Sequence, residues 1–322
     1  MIYRKIATWG FLSALLLGMA SHEGVGQGRQ NPNFLPYSEV GFGAGTSTYF
    51  GDLAGYSAPL KSLTTLPRWN VGLMYTRHFT PRISARASFT WARIAGDDYT
   101  FSKDNPTGYA PQFVRNLQFR NDLKEFALIG MYDLIPAGRT PRNRPKIAPY
   151  FLLGLGLVAH NPMGFTPKNF GGDARQQWVA LQPLGTEGQG QPGYAKPYSL
   201  VTVAVPVGVG FRYALSEFFN LAAEVRLTPT FSDYLDDVGS NYPNPNDLAT
   251  PLAKAFSNRT QELQAARSGD DRQAGINKIT ASGQNPAGLT QRGGGGRIPL
   301  KDSYLLTSFQ IHYIIPAKIR CP

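Results

Sequence analysis

Alternation of apolar with small or polar residues, sustained over stretches of about ten, is the feature that most restricts this 322-residue chain. In a strand, successive side chains point to opposite faces, so period-two alternation marks a sheet with two unlike sides. In 83–94, Ile83, Ala85, Ala87, Phe89 and Trp91 share one face, and Ser84, Arg86, Ser88 and Thr90 the other. In 198–213, Val201, Val203, Val205, Val207, Val209, Phe211 and Tyr213 form an unbroken apolar face. The stretches 219–228 and 304–313 repeat the pattern, and 38–50, 69–79, 122–134 and 147–159 follow it less cleanly. These are eight candidate strands, each near the ~9–11 residues that cross a bilayer at ~45° tilt. No run of ~18 apolar residues, the length of a membrane helix, occurs anywhere.

Composition narrows the choice. Charged residues make up 16% and aromatics 12%, and 35 residues are glycine. A disordered chain has few aromatics, and a helical bundle has little glycine. One cysteine excludes a disulfide framework or a cysteine zinc site, and four histidines leave little material for metal chemistry. Residues 1–26 have the basic start, short apolar run and small-residue end of a signal peptide. Residues 27–37 are a lead-in. Export removes nucleic acid as a partner, so the net charge of +11 points to lipid headgroups or an acidic protein.

Connections alternate in length. Short or medium turns lie near Pro81, over 135–146 and near Ser216; the long joins are 51–68, 95–121, 160–197 and 229–303. Short periplasmic turns with long extracellular loops are the habit of outer-membrane barrels. The expected fold is all-β: an eight-stranded antiparallel transmembrane β-barrel, OmpA/OmpX-like, over 38–313. A periplasmic tail, 314–322, follows, and both termini are periplasmic. A soluble sandwich or lipocalin shares the alternation, but does not require a long apolar face with aromatic ends. Trp69, Tyr75, Trp91, Tyr132, Phe211, Tyr213, Phe219 and Tyr313 lie where interfacial girdles would. A barrel this narrow is filled by its own side chains. Glu39, Glu125 and Glu224 then balance Arg86, Arg212 and Arg226 on the inner face, as a salt-bridge network or, on a sharper reading, as a proton path or catalytic pair. Inner-face glycines at 41–45 and 208–210 leave room for side chains from across the barrel.

The loops and strand ends carry compositionally odd strings. They are YFGDL at 49–53, RNLQF at 115–119, APYFLLGLGLVAHNP at 148–162, LQPLGTEGQG at 181–190, PVGVGFRY at 206–213, FSDYLDDVGSNY at 231–242 and the terminal Cys321-Pro322. On these strings the chain resembles the PorG family, the outer-membrane β-barrel component of the type IX secretion system of Bacteroidota. The resemblance spans nearly the whole mature chain and is weakest over 243–300. It implies a non-enzymatic part of a protein-export machine, with no cofactor. It also implies association with the periplasmic ring lipoprotein PorK and its partner PorN. The family-motif loop residues are Gly51, Asp52, Gly185, Thr186, Glu187, Gly188, Gln189, Gly190, Asp233, Tyr234, Asp236 and Asp237.

Residue chemistry supplies weaker candidates. Asp233, Asp236 and Asp237 suit a hard cation, without the ligand ladder of an EF-hand; loop hydrogen bonding with an arginine is the competing reading. Glu187 between glycines suits a tight turn with a docking or folding role. His312, with Ser308 and Gln310, suggests a hydrolase only faintly against a packed lumen histidine, and His78 and His160 fall at opposite strand ends. The glycine run 293–296 follows no apolar strand, so it does not read as a phosphate cradle. Residues 247–264 have the spacing of a short amphipathic helix, and 265–300 reads as irregular and mobile. Arg139, Arg142, Arg144 and Lys146 form a basic turn, solvated or in contact with headgroups or an acidic partner. Cys321 is a candidate intermolecular contact. With long loops outside, a periplasmic partner meets the turns and tail; an inverted topology reverses this.

Overall fold

Among the described residues, eleven strands pair into one sheet that closes on itself. They are β1 (Tyr37–Phe50), β2 (Arg68–His78), β3 (Ile83–Asp97), β4 (Gln118–Asp133), β5 (Ile147–Ala159), β6 (Pro162–Phe165), β7 (Trp178–Ala180), β8 (Val201–Ala204), β9 (Val207–Ala214), β10 (Phe219–Pro229) and β11 (Ser303–Ile315). The computed structural model describes residues 34–54, 58–173, 175–288, 292–293 and 301–316. The expected signal peptide and Cys321 lie outside them. Neighbours in sequence pair antiparallel from β1 to β5, and β5 pairs β8 and β9. β9 then pairs β10, β10 pairs β11, and β11 pairs β1, with Val40 opposite Tyr313. With β8 and β9 sharing one position, the barrel has eight staves.

Burial is inverted relative to a soluble barrel. Leu128 is 61% exposed and its neighbour Ile129 is 1% exposed; Leu153 is 61% exposed and Leu152 3%. The large outward side chains are apolar on every stave, including Val40, Phe42, Leu73, Phe89, Phe126, Leu155, Val209, Leu221 and Phe309. Lipid offers backbone groups no hydrogen bonds, so a spanning sheet must close, and its apolar face then meets the acyl chains. All eight expected girdle aromatics point outward and are exposed. Trp69 and Trp91 stack edge-on at 5.1 Å near the loop end, and Tyr132, Tyr213 and Tyr313 ring the turn end.

Several strand ends differ from the expected bounds. β3 runs to Asp97 and β4 starts at Gln118, so this hairpin rises past the other staves. The sixth stave breaks at Val205–Pro206, because Pro206 has no N–H for the ladder. Its carbonyl still accepts from the Gly154 N–H at 2.9 Å. An unforeseen hairpin, β6–β7, adds to β4 through Arg120 and Asn121. Inner-face glycines make room for the adjacent stave rather than the opposite wall. At Gly210 a Cβ would stand 2.5 Å from the Tyr150 ring of the paired strand.

Above the loop end sits a cap with a conventional core. Tyr49, Ile94, Phe119 and Leu123 from the barrel mouth pack with Leu53, Leu181, Leu235, Val238 and Phe256 from the loops. Among the described residues five short α-helices decorate it: α1 (Pro59–Thr65), α2 (Asp98–Ser102), α3 (Ala110–Arg115), α4 (Pro251–Ser257) and α5 (Gln273–Ala281). The helix expected over 247–264 is therefore shorter. Thr250 caps its start by accepting from the Ala253 N–H at 3.0 Å, and Asn258 leaves it in an extended conformation. The irregular stretch expected at 265–300 contains α5, which exists because Ile276 and buried Ile279 pack on Phe113 and Val114 of α3.

Candidate functional site

Two buried polar networks are stacked along the barrel axis. The lower one fills the lumen. Arg86 donates to Glu224 at 2.7 Å and Arg226 to Glu125 at 2.8 Å, and Arg212 stands 3.4 Å from Asp133 and 3.8 Å from Glu39. Glu39 also meets His78 Nε2 at 2.9 Å and accepts from Asn220 Nδ2 at 2.9 Å. Tyr150 donates to Glu224 and Tyr304 to Glu125. All six charged residues expected on the inner face thus point inward and pair. A lumen void lined by Arg86, Glu224 and Arg226 measures about 20 Å³, enough for about one water. His312 is fully buried and meets Gln310 Oε1 at 2.9 Å, while its other nitrogen lies 3.9 Å from Glu39. It is a packed lumen histidine. His78 belongs to this network, whereas His160 stacks on Tyr198 at the loop end.

The upper network lies in the cap and draws together most of the family-motif strings. The Tyr49 hydroxyl is 2.6 Å from Asp236 Oδ2 and 2.7 Å from Asp302 Oδ1, and accepts from the Asp52 N–H at 3.1 Å. A phenol carries one hydrogen, so two such short contacts require a proton on one of the carboxyls. Burial and the repulsion of Asp302 and Asp52 push Asp236 well above the ordinary carboxylate range, and burial pushes Asp302 up likewise. Gly51 allows this approach, because a Cβ there would collide with Tyr49 and Asp302.

Asp237 turns the other way. It accepts from Thr186 Oγ1 at 2.5 Å and Tyr198 OH at 2.6 Å, and pairs with Arg292 at 3.3 Å. Arg292 also meets Glu187 at 3.1 Å. Glu187 accepts from the backbone N–H of Gly239 and Ser240, both at 3.1 Å. Gly185, Gly188 and Gly190 hold positive φ around it, which only glycine adopts without strain, and the Gln189 side chain closes back onto the Glu187 N–H at 2.9 Å. Tyr234 stacks on Tyr198 at 4.5 Å. Half-buried Asp233 stands apart, pushed up by burial. The three aspartates therefore do not converge on a point. Among the described residues no group of His, Cys, Asp or Glu is placed to hold a metal ion.

Four buried arginines bind the cap, and three of them come from the stretch where the sequence is least distinctive. Arg115 forks onto Asp98 at 2.7 and 2.8 Å and donates to the carbonyls of Asp52 and Arg292. Arg259 donates to Phe165 O, Arg272 to Phe113 O and Val114 O, and Arg292 to Ser257 O. Only Arg115 stands in a motif string. Nothing local separates Arg259, Arg272 and Arg292 from solvated arginines, so sequence reasoning missed them. Asn116, at φ 59°, ties the Ala266 N–H and Gln264 O to the head of β4.

The basic turn lies at the opposite end. Arg144 is committed to the neighbouring turn, donating to Asn220 Oδ1 at 2.8 Å and to the carbonyls of Glu217 and Phe219 at 3.1 Å. Arg142 pairs with Glu217 at 2.9 Å, both exposed. Lys146 sits 4.6 Å over the Tyr213 ring, and Arg139 is exposed.

Closed staves, inverted burial and an ion-paired lumen define a transmembrane β-barrel of the outer-membrane type. No family model and no curated relative matches the chain. Among solved structures it is similar to Neisserial surface protein A, at 9% identity and TM-score 0.36, over 86% of this chain and 96% of that one. It is also similar to Ail of Yersinia pestis, solved with the heparin analogue sucrose octasulfate, at 11% identity and TM-score 0.34, over 87% and 99%. OprG of Pseudomonas aeruginosa matches at 10% identity and TM-score 0.32, over 88% and 98%. At these values the likeness concerns the barrel and nothing finer.

Proposed function

We propose that this protein is a non-enzymatic outer-membrane component of the type IX secretion machinery. In this reading the barrel anchors the machine, and its short turns and tail position the periplasmic PorK/PorN ring. One observation carries the reading. The loop strings on which the PorG resemblance rests, scattered from Gly51 to Asp237, converge on a single buried network. Unrelated surface loops would have no reason to interlock. The non-enzymatic part is supported by the state of the reactive groups: Tyr49, Asp236, Asp237, Asp302 and His312 are all buried. The long loops and cap face outward, both termini are periplasmic, and Arg139, Arg142, Lys146 and the tail bearing Cys321 face the ring.

Affinity purification of the tagged full-length protein from membranes tests this. Co-purification of PorK and PorN, weakened by Arg139→Glu with Arg142→Glu, is the expected result. Loss of the gene should also stop export of cargo bearing a C-terminal sorting domain. Normal export and no co-purifying ring protein would instead favour a free-standing barrel for adhesion or envelope integrity. Thiol labelling of an engineered cysteine in 265–288 on intact cells checks the orientation; labelling only after permeabilisation would reverse it.

A further inference from the structure

One sector of the barrel's outer wall, at the loop end, departs from the apolar rule. Along one row of the register, Trp69 on β2 is followed by Arg93 on β3 and Asp122 on β4. One row toward the membrane centre come Val71, Trp91 and Lys124. Above, Arg120 lies 4.2 Å over the ring of Trp178 on β7. All three tryptophans of the described residues thus stand on the wall made by β2, β3, β4 and β7. Following the row from Trp69 the other way round the barrel gives Thr46, Thr307 and Val225. The indoles and the cations occupy the same sector.

The charges there are not balanced. Arg93 is neutralised by Asp122 at 2.5 Å. Arg68 lies near Arg267, Arg93 and Asp97, and Arg120 near Arg93 and Asp122; with Lys124 this sector sets five cations against two carboxylates. Arg68, Arg120, Lys124 and Arg267 make no ion pair within 4 Å among the described residues, and buried Asp97, which accepts from Thr100, attracts both Arg68 and Arg267 from a longer distance. An excess of cations beside an indole belt is costly unless a further anion lies among them. At the height of a tryptophan belt the surroundings are lipid headgroups. Guanidinium forks fit phosphate oxygens bidentately, and the apolar surface just below, with Leu73, Phe89, Phe126 and Leu128, fits acyl chains.

We propose that this sector is a binding site for a phosphorylated lipid of the leaflet on the cap side. Arg68, Arg120, Lys124 and Arg267 hold its phosphate, and Trp69, Trp91 and Trp178 border its headgroup. The inference needs the barrel wall with the adjoining Trp178 and Arg267 but no protein partner, so it stands apart from any role in secretion.

The test uses full-length protein in phosphatidylcholine nanodiscs doped with lipid A or with dephosphorylated lipid A, read by native mass spectrometry. Wild type should retain the phosphorylated form preferentially. Arg68→Gln/Arg120→Gln/Lys124→Gln should lose that preference by about a hundred-fold, at ~1 kcal/mol per cation at a charged membrane surface. The charge-matched variant Lys103→Gln/Lys254→Gln/Lys278→Gln should keep it. Folding of each variant is checked by heat-dependent gel migration. Equal retention of the two lipids by wild type, equal losses in both variants, or full displacement by inorganic phosphate would overturn the proposal.

Discussion

The lumen and the cap both bury arginines, and they use them for different work. In the lumen, the backbone is already satisfied by strand pairing, so Arg86, Arg212 and Arg226 turn to carboxylates on other staves. In the cap, the backbone is irregular and its carbonyls have no ladder. Arg115, Arg259, Arg272 and Arg292 each give donors there to main-chain oxygens, and all but Arg272 also pair with a carboxylate. An unmade buried hydrogen bond costs more than a made one gains. The lumen arginines thus serve charge balance, while the cap arginines add to charge balance the work of missing secondary structure. A lumen pair can be replaced as a pair. A cap arginine cannot, because its partners include backbone that no second substitution removes.

The largest expected effect tests that last point. Arg292→Met leaves Glu187 and Asp237 buried without their cation, at about 3–5 kcal/mol. Adding Glu187→Leu should restore little, since the Asp237 carboxylate, Ser257 O and Asp237 O stay unmet. Limited proteolysis of the cap loops in folded, detergent-solubilised protein reads this; full recovery in the double variant would erase the distinction. Arg86→Met should cost roughly as much when alone. Paired with Glu224→Leu it should fall to about 1 kcal/mol, because apolar pairs of similar volume often replace buried ion pairs without loss. A double-variant cycle on the unfolding midpoint measures it. Persistence of the full cost would show that the lumen, too, depends on more than charge balance.

A smaller effect sharpens the steric side. Gly210→Ala should drive Tyr150 off its position and cost about 1–3 kcal/mol, detected as a lower unfolding temperature with the cap's protease resistance unchanged. The smallest effect is a pH dependence confined to the cap. Asp236 and Asp302 are both held above the ordinary carboxylate value of 3.8. A group whose folded pKa is raised contributes stability that is complete below the unfolded pKa and is lost as pH rises through the folded one. The cap should therefore loosen as pH rises from mildly acidic to alkaline, and Asp302→Asn should flatten the response. Hydrogen exchange in 230–240 reads it; an opposite slope would refute the shared proton.

Much of the barrel was legible in the chain, and little of the cap. Ile83 to Trp91 and Val201 to Tyr213 declare their faces because strand side chains alternate with period two and the outer solvent is lipid. The pairing of Glu39, Glu125 and Glu224 with Arg86, Arg212 and Arg226 followed from the same parity: charges on the inner face of a narrow, filled barrel have only one another to meet. LGTEGQG and DYLDDV stood out as odd strings, but nothing in them disclosed that Glu187 and Asp237 share Arg292.

By itself the sequence determined which residues face lipid, how many staves close the barrel and which end carries the long loops. All of these follow from local periodicity and the alternation of loop lengths. The cap was decided only in three dimensions. Tyr49 meets Asp236 and Asp302 across 187 and 253 positions of chain. Helix α5 forms only because α3 offers Phe113. Arg259, Arg272 and Arg292 are buried only because irregular loops leave carbonyls needing donors, and where an irregular backbone leaves its carbonyls is not written in any residue's neighbours along the chain.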